Sequence, residues 1–171
     1  MSEPMNLSES VLVAAPPEAV WDLVADVTRM GEWSPETRAA WWLGGATTAA
    51  AGVKFKGRNK RGRMRWATTC EVTAADRGSR FSFVRASRID DGTDWTFTME
   101  ARDGGTLLTE SARQRRLPNS AARLAGRITF GSDRDDQVRQ GIRTTIERIK
   151  ATAEASAKPP PHSPRPAFKV A

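Results

Sequence analysis

The chain has 171 residues, 39% of them hydrophobic, a net charge of +7, one cysteine, one histidine and no tyrosine. Such a length makes one ordinary domain that buries a core without metals or disulfides, and the lone Cys70 excludes an intramolecular disulfide framework and fits a reducing compartment. The only histidine, His162, sits in a proline-rich stretch, so the folded part has no imidazole to act as general base or metal ligand; no metal or cofactor is expected.

The first residues, Met1 to Asn6, lack the charged and apolar regions of a signal peptide. The longest weakly polar run, Ala39 to Val53, is interrupted by Gly and Thr and is too short to span a bilayer, so a soluble, cytoplasmic protein is expected. Val11 and Val13 share one side of a first strand, which Pro16 and Pro17 end. Pro17 suits the first turn of a helix, Glu18 sits where the helix dipole favours an acid, and Val20, Trp21, Leu23, Val24 and Val27 recur at helical spacing. Thr28 is read as the N-cap of a second short helix that stops before Pro35.

After Pro35 the hydrophobic period changes to two, with turn residues between the segments. Strands are predicted over Thr37 to Leu43, Gly52 to Lys60, Met64 to Ala74, Ser79 to Ser87, Asp94 to Arg102 and Thr106 to Arg116, about five or six in succession as a curved meander. From Asn119 the period becomes helical again. Leu124 and Ile128 open an apolar stripe, Gly131-Ser132 is a point for a kink, and Val138, Ile142, Thr145, Ile146 and Ile149 continue the stripe. From Glu154 onward the chain reads as a disordered proline-rich tail, which leaves residues 1–153 as one domain and 154–171 outside it.

The N-terminal order of strand, proline turn, amphipathic helix and short helix, through Gly31-Glu-Trp-Ser-Pro-Glu36, resembles the polyketide cyclase/dehydrase and lipid-transport branch of the START-like (SRPBCC) superfamily. The resemblance extends over roughly residues 5 to 152, through Gly52-Val-Lys-Phe-Lys-Gly-Arg-Asn59, Arg65-Trp-Ala-Thr-Thr-Cys70, Asp94-Trp-Thr-Phe97 and Gly105-Thr106 followed by Thr109-Glu110. It implies an α+β helix-grip fold, a curved antiparallel sheet wrapped around a long C-terminal helix with a cavity between them. It also implies binding or transport of a small hydrophobic ligand, lipid or polyketide-like. Some relatives are cyclases or dehydratases that use His, Tyr, Asp or Glu in the cavity. Here His and Tyr cannot contribute, so no catalytic residue is assigned, and an enzyme of that type would have to use a carboxylate.

Strand parity gives the candidate cavity lining. Phe55 and Asn59 share a face, as do Trp66, Thr68 and Cys70, then Trp95, Phe97 and Met99, with Phe83 on the strand between. On the last strand Leu108, Glu110, Ala112 and Gln114 form the set without a permanent cation, so Glu110 and Gln114 are expected to face inward, Glu110 with a partner such as Asn59, Gln114 or an arginine of the terminal helix. Trp33 in the connecting helix, and Leu124, Ile128 and Ile142 on the terminal helix, complete the candidates. Trp41 and Trp42 are adjacent, so only one can point inward. Lys54, Lys56, Arg58 and Lys60 lie opposite Phe55, a basic face suited to weak contact with an anionic membrane. Nucleic acid is the alternative partner for such a basic face and the less expected one, because no recognised nucleic-acid motif accompanies the charge.

Overall fold

A computed structural model describes residues 5–86, 92–115 and 134–157. It is an α+β helix-grip fold. Strand β1 (Asn6–Val13) leads into helix α1 (Pro17–Ala25), a 3₁₀ turn (Val27–Arg29) and helix α2 (Met30–Trp33). A meander follows of β2 (Thr37–Trp42), β3 (Lys54–Arg61), β4 (Met64–Asp76), β5 (Arg80–Ala86), β6 (Thr93–Arg102) and β7 (Gly105–Gln114), and then helix α3 (Arg134–Ala157). The seven strands form one antiparallel sheet in the order β1-β7-β6-β5-β4-β3-β2, so the first strand returns to pair with the last.

The local causes are those of the residues. Pro17 at the start of α1 and Glu18 in its first turn favour helix there, and Val20, Val24 and Ala25 form its buried face. The next turn is capped by Asp26 rather than Thr28: its carboxylate accepts from the Thr28 backbone N–H at 3.1 Å and from the Thr28 hydroxyl at 2.6 Å. An aspartate one residue before a helical turn satisfies an orphan N–H from its own side chain, which leaves Thr28 as the donor. At the junction of β1 and β7 only glycine fits. Gly105 has φ +155°, and a Cβ there would lie 2.0 Å from the Val13 carbonyl oxygen.

Pairing decides between the two adjacent tryptophans. Trp42 lies opposite Phe55 and meets its ring edge-on at 5.8 Å, while Trp41 lies opposite Lys56 on the outer face, 38% exposed. Inside, the buried side chains form two clusters. The larger one gathers Val13, Val20, Phe81, Leu108, Ile146, Ile149 and Ala153, among others. The smaller consists of Met5, Leu7, Ala112, Val138 and Ile142, with Trp95 against it. Helix α3 crosses β1 and β7 and touches α1 and α2, contributing its C-terminal half to the first cluster and its N-terminal half to the second. The stretch from Leu124 to Gly131-Ser132, Ile128 included, and the tail beyond Ala157 lie outside the described residues, while residues 154–157 are helical.

Candidate functional site

Between the two buried clusters, under the N-terminal half of α3, the sheet and helix leave a cavity of about 220 Å³. Its floor is the inner face of the strands: Phe55, Gly57 and Asn59 from β3, Trp66, Thr68 and Cys70 from β4, Phe83 and Arg85 from β5, Thr93, Trp95 and Phe97 from β6, and Glu110 from β7. Period-two alternation places them together. The roof is one stripe of α3, Arg134, Gln137, Val138, Gly141, Ile142 and Thr145, whose spacing of three and four residues is that of a single helical face. Trp33 and the turn Ser34 to Thr37 close one wall, and Met5, Val24 and Met30 complete the lining.

Eleven candidates from the sequence line this space: Trp33, Phe55, Asn59, Trp66, Thr68, Cys70, Phe83, Trp95, Phe97, Glu110 and Ile142. Two expected to do so do not. Met99 follows Phe97 on the same face but lies farther along β6, opposite Leu108, where the larger cluster is fully packed. Gln114 is spent at the sheet edge, where its side-chain oxygen accepts from the Met5 backbone N–H at 3.2 Å and its own N–H donates to the Met5 carbonyl at 2.9 Å. Leu124 and Ile128 are among the residues not described. Arg85, Thr93 and the polar positions of α3 were not anticipated. For Arg85 the signal was present, since it continues the Phe81, Phe83 parity.

The polar groups of the cavity differ in how well they are satisfied. Along one wall Thr37 Oγ1 donates to Asn59 Oδ1 at 3.0 Å and Asn59 Nδ2 donates to Thr68 Oγ1 at 3.2 Å, which ties β2, β3 and β4 together. At the mouth the Glu36 carboxylate receives Arg134 at 2.9 Å and lies 3.9 Å from Arg61, which also donates to Gln137. Trp33 is buried, with the Arg29 guanidinium 5.5 Å from its ring centre. Cys70 is buried, and burial pushes its thiol up to about 11 despite a hydrogen bond from Thr68 and the nearby Arg85 charge, so it is an inert thiol at neutral pH. Burial likewise lowers the pKa of Arg85.

Glu110 is the exception. It is 4% exposed on the cavity floor, and its Oε2 has no hydrogen-bond partner among the described residues. None of the expected partners is engaged with that oxygen: Asn59 is bonded to Thr37 and Thr68, and Gln114 to Met5. Burial raises its pKa well above the usual carboxylate range, which favours the neutral form, one that donates as well as accepts. Among the described residues no group of three or more His, Cys, Asp or Glu is placed to hold a metal ion, and no described helix is long and apolar enough to cross a membrane.

Solved structures share this architecture. The di-domain ARO/CYC StfQ from the steffimycin biosynthetic pathway superimposes with a TM-score of 0.71 at 13% identity, over 90% of this chain and 52% of StfQ. The chain thus spans about half the length of that protein. The polyketide-cyclase-like protein Cgl2372 from Corynebacterium glutamicum aligns at 28% identity with a TM-score of 0.61, over 92% of this chain and 96% of the other. SA2116 from Staphylococcus aureus, a protein of unknown function, gives 0.66 at 12% identity, with 91% and 96% covered. No curated protein matches the sequence. The sequence model of one family, described as polyketide cyclase/dehydrase and lipid transport, matches residues 4–154, which takes in every described strand and nearly all of α3, and the chain belongs to that family.

Proposed function

We propose that the chain binds a small, mostly apolar molecule with at least one hydrogen-bonding oxygen, held under α3 with that oxygen at Glu110. The observation that carries this reading is the Oε2 of a buried carboxyl, without a partner among the described residues, on the floor of an otherwise largely apolar cavity. A buried polar atom without a partner costs about 1–3 kcal/mol, and a ligand oxygen would recover part of it. The volume of about 220 Å³ exceeds the ~150 Å³ of an apolar cavity known to admit benzene, which suits one or two fused rings or a short acyl chain. Membership of a family described by polyketides and lipids, and likeness to a steffimycin-pathway protein, support a polyketide-like or lipid-like class.

A second reading, a cyclase or dehydratase, rests on the same residue, because a neutral buried acid can also hand a proton to a bound substrate. Glu110→Gln separates the two: the amide keeps size and hydrogen-bonding capacity but moves no proton. For a binder, affinity for 2-naphthol, read by quenching of tryptophan emission, stays within about threefold in Glu110→Gln and falls about tenfold in Glu110→Leu. For an enzyme, Glu110→Gln would bind substrate and turn none over. Native mass spectrometry of protein purified from its own host identifies the natural occupant. If no small molecule co-purifies and 2-naphthol does not bind, both readings fail.

A further inference from the structure

The fold sets the basic face predicted for β3 beside further groups of β2 and β4. On the outer face of the sheet, Lys56, Arg58 and Lys60 of β3 project beside Arg65 of β4, which pairs directly with Lys60. None of these four makes an ion pair with a carboxylate among the described residues, and the acid on this part of the face, Glu71, is taken by Lys54 at 3.5 Å. The other half of the same face is different. There Thr96, Ser111 and Ser8 stand in one row and Thr98, Thr109 and Ser10 in the next, a ladder of hydroxyls flanked by charges of both signs, Asp94 beside Arg113 at one end and Glu100 at the other, with Arg80 opposite Thr98.

Two further features belong to the basic half. Trp41 projects outward directly opposite Lys56, a large indole left 38% exposed amid cations. Beyond Trp42 the loop from Leu43 to Val53 carries no charged side chain, and most of its small residues are exposed. A cationic surface with one exposed indole and an uncharged loop at its end matches the layering of a bilayer surface, where anionic headgroups lie outside and indole rings settle at the boundary. Single-stranded nucleic acid binds differently, on several stacked aromatic rings along a cationic track, and this face exposes one.

We propose that the outer face of β2, β3 and β4 docks on an anionic phospholipid bilayer, with the lysines and arginines against the headgroups and Trp41 at the interface. The inner faces of β3 and β4 line the cavity through Phe55, Gly57, Asn59, Trp66, Thr68 and Cys70. Docking therefore brings the cavity within one sheet thickness of the lipid.

The test uses the full chain with phosphatidylcholine vesicles, with and without phosphatidylglycerol. Binding is expected to the anionic vesicles at low ionic strength and to be released by molar salt. The variant Lys56→Gln/Arg58→Gln/Lys60→Gln should reduce partitioning on the order of a hundredfold, from about fivefold per cation. Arg77→Gln/Arg102→Gln/Arg113→Gln, which removes the same charge at positions outside β2, β3 and the Arg65 end of β4, should reduce it by less than about fivefold. Lipids brominated near the headgroup should quench part of the wild-type tryptophan emission, and that part should be missing in Trp41→Phe, a readout independent of whether the triple variants fold. Absence of binding at low salt, equal losses in the two triple variants, or quenching that persists in Trp41→Phe would each overturn the proposal. Binding to duplex DNA that is tighter than to anionic vesicles would overturn it in favour of nucleic acid.

Discussion

The two halves of α3 are made from the same kind of stripe and do opposite things. From Ile146 to Ala153 the stripe is aliphatic and presses into Val13, Val20, Phe81 and Leu108, and the helix is fastened outside that core by Glu154, which accepts from the Ala14 N–H at 2.9 Å and pairs with Lys150 at 3.0 Å. From Arg134 to Thr145 the stripe mixes Gln137, Gly141 and Thr145 with Val138 and Ile142, and it stands over empty space held at the rim by Glu36 and Arg134. A helix thus keeps a cavity open when one half packs along its whole inner face and the other, packed only through Val138 and Ile142, places small or polar residues between them.

The sharpest way to break this comparison is to truncate both halves equally. Ile149→Ala, in the filled half, should cost about 3–4 kcal/mol in urea unfolding, and Ile142→Ala, beside existing space, about 1–2 kcal/mol. Equal costs would mean that the two halves are packed alike. Glu110 gives the next largest effect. Its folded-state pKa is raised by burial, so between the unfolded value near 4.3 and the folded value the native state holds more protons than the unfolded chain. Its stabilising contribution is complete at low pH and is lost as pH rises through the folded pKa, by up to about 1.4 kcal/mol per pH unit. Glu110→Gln should remove that slope and be the more stable protein at pH 8; a parallel pH profile for the two would show that Glu110 ionises freely.

Gly57 sharpens the comparison without touching the packed half. A Cβ there would meet Thr68 Oγ1 at an ordinary 3.5 Å, and a longer side chain projects into the cavity. Gly57→Leu should weaken 2-naphthol binding at least about tenfold while changing stability by less than about 1.5 kcal/mol. The smallest effect concerns the rim. Glu36→Gln should lower stability by less than about 1 kcal/mol, because its ion pairs are partly exposed, yet it should speed amide exchange at Val138 to Ile142 and leave Ile146 to Ala153 unchanged. Faster exchange along the whole helix would make α3 one cooperative unit.

Much of this arrangement is legible in the residues, for a reason that also sets where legibility stops. Strands with one face buried write their burial in alternation, as β7 does from Thr106 through Leu108 and Glu110 to Ala112, so the inner faces of β3, β4, β6 and β7 could be read off directly. Parity tells the face but not the position along the strand, and Met99 was placed in the cavity although it lies in the filled core. Residue type misled at Arg85: a guanidinium suggests solvent, whereas the alternation of Phe81 and Phe83 carries it inward. Gln137 and Gly141 were equally hidden, since beside an apolar stripe small and polar residues look like interruptions until a cavity explains them, whereas Thr145 was already on the stripe. That Glu110 Oε2 finds no partner among the described residues depends on distances between strands, which no pattern encodes.

The pairing of β1 with β7 also sets an order in time. Ser10 and Thr109 hydrogen-bond across a separation of 99 residues, so a ribosome adding roughly 5–20 residues per second needs on the order of 5–20 s after making β1 before its neighbour exists. Until then β1 carries Leu7, Val11 and Val13 without a partner strand, and the meander from β2 onward is free to assemble first from its short hairpins. The roof, α3, emerges later still. The cavity is therefore closed only after every strand that lines it has been made, and its roof is the last of the described elements to leave the ribosome.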